Sequence, residues 1–281
     1  MPDVIQRKRT ATDKVISKLN AWRFSLVERP LVKVIRLWRE KEYKNNEEPL
    51  ISVYTPTYNR ADILLTRAVP AVLAQTYKNF EFIIVGDCCT DDTAARVSAI
   101  KDPRIRFYNL PTRSYRYPPT AENHWLAGPV VAANQALSMV RGKWIARIDD
   151  DDLWTPDHLE SLLKSALEGN YEFVSAAYEA ERYEKKIIID AKDENPRIGG
   201  TQTWLYRSYL KFMRYNINCW RKSWNRVNDT DLQDRFYKAG VRMGFLEKVV
   251  AYILPRPGEQ TIGLSAYKES AAKHEAHFKF N

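Results

Sequence analysis

The run FEFIIV at residues 80–85 is almost wholly apolar and lacks the alternation of a half-exposed strand, so it reads as a strand buried on both faces. Such a strand needs helices above and below it. The flanking sequence supplies them. ISVYT (51–55), RIRFY (104–108) and KWIARI (143–148) are further short β-rich runs, and helical periodicity fills 63–75, 91–100 and 130–140 between them. Pro56 is expected to end the first run, and Pro70 to kink or restart the first helix. Units of this length imply an α/β domain, a doubly wound and mostly parallel sheet with helices on both faces. Ligands of such sheets gather beyond the carboxyl ends of the strands.

Those strand ends are polar. TPTYNR (55–60) follows the first run, GDCCTDD (86–92) the second, and four consecutive carboxylates, Asp149, Asp150, Asp151 and Asp152, follow the fourth. Side by side, four carboxylates repel unless solvent or a cation screens them. The sheet topology sets the three tails together on one edge, which favours a site over a solvated acidic turn. A calcium loop of the EF-hand kind fails: with Asp149 first, Glu160 falls twelfth, but Trp154 stands where glycine is required.

The chain has 281 residues, 44% of them hydrophobic, enough for one large core or a core with an appendage. No stretch approaches ~20 uninterrupted apolar residues, so no membrane span is expected. The N-terminus lacks the apolar centre of a secretory leader, and a cytoplasmic protein is expected. Cys88, Cys89 and Cys219 show no metal-ligand spacing and read as structural or incidental. Residues 1–48 hold twelve Lys/Arg against seven Asp/Glu, more than half of the net charge of +9. That points to a basic appendage on a nearly balanced domain and against a nucleic-acid partner.

In the appendage Val15, Leu19, Trp22 and Leu26 recur at helical spacing, as do Leu31, Val34, Ile35 and Trp38 after Pro30. Two amphipathic helices are expected, packed on the domain, on a second subunit, or on an anionic membrane surface, with residues 44–49 as a linker.

PTYNR, QTYKNFEFIIVGDCCTDDT (75–93), AANQAL and IDDDDLWTPDHL (148–159) together, in this order, resemble family 2 glycosyltransferases of the GT-A fold over about residues 50–160, with weaker echoes to about 258. The resemblance implies an inverting, metal-dependent transferase that moves one sugar from a nucleotide-sugar donor, a UDP-sugar by preference, to a glycan or lipid-linked acceptor. A divalent cation, Mn²⁺ or Mg²⁺, would neutralise the charge that grows on the leaving diphosphate. Asp-x-Asp at a strand end suits it because alternate side chains project to one side. The family pattern falls on Asp149, towards ribose and metal, and on Asp151 as the more direct ligand. Asp150 and Asp152 are supporting, unless Asp152 caps the next helix.

By the same resemblance Thr55, Tyr58 and Asn59 form the lip of the donor pocket, and Asp87 accepts the N3–H of uracil. Gly86 replaces the family's first acid there, and Cys88-Cys89 its Gly-Ser. The catalytic base falls on Asp229 in NDTDLQDRF (228–236), with Asp231 as second choice. The Gln-x-x-Arg-Trp of processive relatives is absent from the sequence, which implies single-residue transfer. Trp204, Tyr206, Tyr209, Tyr215, Trp220 and Trp224 are shared between core and acceptor groove. Arg256 with PGEQT reads as a lid over phosphate, and His274 or His277 as a late metal ligand or a surface histidine. The implied division is residues 1–48 appendage and linker, 49–260 catalytic domain (donor half to about 155, acceptor half beyond), and 261–281 tail. A noncatalytic nucleotide-sugar-binding protein on the same fold, which would not need Asp229, is the alternative; a basic nucleic-acid or membrane adaptor would rest on residues 1–48 alone.

Overall fold

A computed structural model describes residues 9–43, 48–221, 227–269 and 280. Trp224, His274 and His277 lie outside the described residues.

Among the described residues the strands are β1 (Ile51–Thr57), β2 (Phe80–Gly86), β3 (Ile105–Asn109), β4 (Trp144–Arg147), β5 (Asp152–Trp154), β6 (Phe173–Arg182), β7 (Lys185–Ile189), β8 (Leu205–Arg207) and β9 (Met243–Ile253). They form one sheet in the order β3-β2-β1-β4-β8-β6-β9-β5, with β7 beside β6. The first four strands of that order are parallel, as the alternating pattern requires, and β8 then runs antiparallel between β4 and β6. β1 and β2 are buried along their whole length. β1 continues through Pro56 instead of stopping before it. Its neighbour β4 ends opposite Tyr54, so no ladder on that side needs the N–H that proline lacks.

The helices are α1 (Ala11–Arg23), α2 (Arg29–Arg39), α3 (Ala61–Thr66), α4 (Ala68–Leu73), α5 (Thr93–Ser98), α6 (Ala121–Ala127), α7 (Val130–Met139), α8 (His158–Glu168), α9 (Asn228–Lys238) and α10 (Gly263–Glu269). The expected helix at 63–75 restarts at Arg67, leaving Pro70 inside the first turn of α4, where its missing donor costs little. Trp204, Tyr206, Tyr209, Tyr215 and Trp220 are all buried in the core and do not line the crevice.

At the N-terminus the two expected helices are one rod. α1 begins with a capping box, in which the Thr10 hydroxyl accepts from Asp13 N–H and the Asp13 carboxylate accepts from Thr10 N–H. A wide π turn, Phe24–Glu28, joins α1 to α2, and Arg29 N–H donates to Phe24 O. Pro30 cannot donate to the carbonyl four residues back, so the helix passes it by widening one turn. The rod docks through Val32, which is fully buried in the core, and through charge. Asp13 and Glu28 are buried, Arg36 grips Glu172 with two bonds of 2.8 and 2.7 Å, Glu28 accepts from Arg235 at 2.9 Å, and Glu40 accepts from Arg242 at 2.6 Å.

Candidate active site

The carboxyl ends of β1, β2 and β4 open into one crevice, as the topology requires. The first of its cavities, about 120 Å³, is walled by Tyr58, Arg60, Asp87, Asp149, Asp150 and Asp151, among others. A second cavity of about 330 Å³ shares Asp149, Asp151 and Arg256 with it and extends to Asp229.

The four acids are tolerated because each has its own environment. Asp149 accepts from Nε of the buried Arg147 at 2.9 Å, and Arg147 lies 5.2 Å from the ring centre of Tyr215. Asp150 accepts from Thr57 at 2.7 Å and from Arg60 at 3.1 Å. Asp151 accepts from Arg256 Nε at 2.6 Å and lies 3.7 Å from Arg60. Burial works against its charge, but Arg256 and Arg60 outweigh that and hold its carboxyl below the usual range. Asp152 is the reverse case. Burial, reinforced by Asp151, Asp149 and Asp150, pushes its carboxyl well up. Asp152 belongs to β5 and does not cap α8, whose N-cap is Asp157, because β5 pairs with β9 before the helix begins.

Tyr58 and Asp87 line the first cavity, as expected of two of the donor-pocket residues. Asp87 is held by two arginines of the loop after β3: Arg113 Nε at 3.0 Å, and Arg116 through two bonds of 2.7 Å. Arg113 also lies 3.7 Å from the ring centre of Tyr58. Thr55 and Asn59 do not line the cavity. Thr55 is fully buried and donates to Ile148 O at 2.8 Å, whereas Thr57, two residues nearer the strand end, reaches Asp150. Asn59, at φ 49°, accepts from the backbone N–H groups of Thr90 and Asp91 and so fixes the second acidic tail. Gly86 has a steric reason: a Cβ there would sit 2.5 Å from Asn109 Oδ1, which accepts from Cys89 N–H.

Asp229 stands in the first turn of α9 and lines the second cavity. It accepts from Thr201 Oγ1 and from Thr230 N–H. Asp231 does not line the crevice. It is buried against Arg235 at 3.0 Å and lines the cleft beneath α1.

Among the described residues no group of three or more His, Cys, Asp or Glu is built to hold a metal ion. The donor set nevertheless fits a hard cation that takes one or two protein carboxylates and finds its other ligands in phosphate and water. Asp149 and Asp151 offer those oxygens on the crevice wall.

The sequence reading missed Arg60, Arg147, Arg113, Arg116 and Tyr267. The Tyr267 hydroxyl is 3.4 Å from both Arg60 and Arg256, so α10, in the expected tail, lines the crevice. Arg60 stands in TPTYNR and Arg147 in KWIARI, and four crowded acids call for such cations. Nothing local marked the others.

A sheet whose parallel half ends in an acidic crevice is the architecture of the GT-A glycosyltransferases. Residues 52–118 and 120–227 match the family Glycosyl transferase family 2, and the chain belongs to that family. It is 40% identical over 122 residues, 43% of its own length and 38% of the relative's, to WcaA of Escherichia coli K12, named for colanic acid biosynthesis. To WfgD of Escherichia coli, a UDP-Glc:α-D-GlcNAc-diphosphoundecaprenol β-1,3-glucosyltransferase, it is 30% identical over 133 residues, 47% of each chain. The chain thus spans less than half of either relative. The mannosyltransferase PcManGT of Pyrobaculum calidifontis, solved with GDP-Man and Mn²⁺, shares the fold at a TM-score of 0.56 and 17% identity, covering 95% of this chain and 74% of that one.

Proposed function

We propose that the protein is an inverting, metal-dependent glycosyltransferase that moves one sugar from a nucleotide-sugar donor to a glycan or lipid-linked acceptor. The observation that carries this reading is one continuous crevice with Asp149 and Asp151 on its donor side and Asp229 on its far wall. A binding protein alone has no use for the second wall.

Asp229 is the base. Its carboxylate takes the acceptor hydroxyl's proton as that oxygen attacks the anomeric carbon from the face opposite the nucleotide, and Thr201 and Thr230 orient it. Arg60 and Arg256 are positioned to receive the diphosphate, and Asp151 and Asp149 would hold the cation. Mn²⁺ or Mg²⁺, when bound, supplies charge neutralisation to the leaving diphosphate. Asp87 beside Arg113 presents an acceptor next to donors, the pattern that matches uracil N3–H and its carbonyls, so a UDP-sugar is the favoured donor. WfgD, a UDP-glucose enzyme by name, supports that base, and PcManGT with GDP-Man and Mn²⁺ supports the metal.

The test is thermal stabilisation by a panel of nucleotide sugars with and without Mn²⁺, followed by donor turnover for the best binder. A UDP-sugar should raise the melting temperature most, with Mn²⁺ adding to the shift, and turnover should stop in EDTA. Binding without turnover on any acceptor would leave the noncatalytic reading in its place.

A further inference from the structure

The N-terminal rod turns its apolar stripe away from the protein. Leu19, Trp22, Leu26, Val34, Leu37 and Trp38 are all exposed, Leu37 at 78% and Trp38 at 81%. Val32 is buried in the core and Phe24 and Ile35 pack against it, together with the acids Asp13 and Glu28, but this further apolar stripe faces outward. The π turn keeps the stripe continuous: positions seven apart share a helix face, and one extra residue in the wide turn brings Val34 to the side of Leu26.

Charge is sorted just as sharply. Between residues 11 and 39 both acids, Asp13 and Glu28, are buried against the domain. The exposed charges of that stretch, Lys14, Lys18, Arg23, Arg29, Lys33 and Arg39, are all cationic. A second copy laid on the same face would set cation against cation, a repulsion that negative partners do not meet. The apolar surface continues onto the domain as a groove of about 610 Å³ between Trp38 and Phe212, with Arg39, Lys211 and Arg214 among its lining. Among the described residues no helix is long and apolar enough to cross a bilayer.

We propose that this rod is a docking surface for an anionic lipid bilayer, lying flat with its apolar stripe in the headgroup boundary and its lysines and arginines against lipid phosphates. Because the rod is ion-paired to α9 through Arg235, docking sets the acceptor half of the crevice at a fixed orientation to the membrane. The inference rests on the rod's geometry and stands whether or not the transferase reading does.

The test uses the full chain and vesicles of pure phosphatidylcholine or with added phosphatidylglycerol, read by co-sedimentation and tryptophan fluorescence. Binding should require phosphatidylglycerol and fade at high salt. Lys18→Ala and Lys33→Ala should each weaken it about fivefold. Trp22→Ser with Trp38→Ser should weaken it at least ~10-fold at an unchanged melting temperature, since both side chains are exposed. The proposal is overturned if the full chain ignores anionic vesicles at low salt, or if the double variant binds them as the parent does. It is equally overturned if the chain is a dimer that the double variant splits.

Discussion

Arg256 donates its Nε to Oδ2 of Asp151 at 2.6 Å, so the acid proposed to meet a divalent cation is held by a cation of the protein's own. Arg60, 3.7 Å from the same carboxylate, adds to that hold. On the proposed reading, donor and cation would together draw these guanidinium groups onto phosphate. Asp151→Asn should abolish metal-dependent turnover and lower the melting temperature somewhat, because Arg256 and Arg60 stabilise the Asp151 charge in the folded protein and lose that partner in the variant. Turnover assays with titrated Mn²⁺ check this, and full activity in the variant would remove Asp151 from the metal.

Asp229→Asn should lower kcat by at least ~10² with donor affinity unchanged, the usual worth of general-base assistance. Asp231→Asn should instead act on stability, since its partner Arg235 also serves Glu28 of the N-terminal rod. Steady-state kinetics beside urea denaturation separate the two. A collapse of donor binding in Asp229→Asn would reassign that residue to the pocket.

The stability of the protein should fall with acid through His158. Its ring is fully buried, stacks on Trp154 at 3.8 Å between centres, and approaches Val250 O with Nδ1 at 2.9 Å. A carbonyl only accepts, so Nδ1 carries a proton, and burial keeps the ring from taking a second. Burial lowers its pKa from 6.5 to about 3. Below pH 6.5 the unfolded chain takes up a proton that the folded one refuses, so stability is complete above 6.5 and lost as pH falls towards 3. The slope is about 1.4 kcal/mol per pH unit. Urea titrations from pH 7 to 4.5 should show it, and His158→Gln should flatten it.

Glu172 is buried and accepts from both Arg36 and Tyr209. Arg36→Ala leaves that carboxylate short of its main countercharge and should cost about 3 kcal/mol, the scale of a broken buried pair. Arg36→Met with Glu172→Leu should cost less than Arg36→Ala, because no charge is then stranded. Chemical denaturation of the three chains measures the difference. A chain beginning at Pro49 strands Glu172, Arg235 and Arg242 at once, and should be markedly less stable than the whole.

Sequence alone determined the parallel half of the sheet and its acidic edge, because burial of FEFIIV and the placing of Asp87 and Asp149 at strand ends follow from local periodicity. The apolar stripe of residues 15–38 was equally legible. Tertiary structure alone decided which way that stripe faces, since the answer lies in arginines more than 200 residues distant: Arg221 for Asp13 and Arg235 for Glu28. It also decided how four adjacent acids coexist, through Arg60 and Arg256, 90 and 105 residues from the carboxylates they bind. Hydrophobic periodicity is written in neighbouring residues, whereas the countercharge of a buried ion can arrive from any strand or helix that the fold brings near.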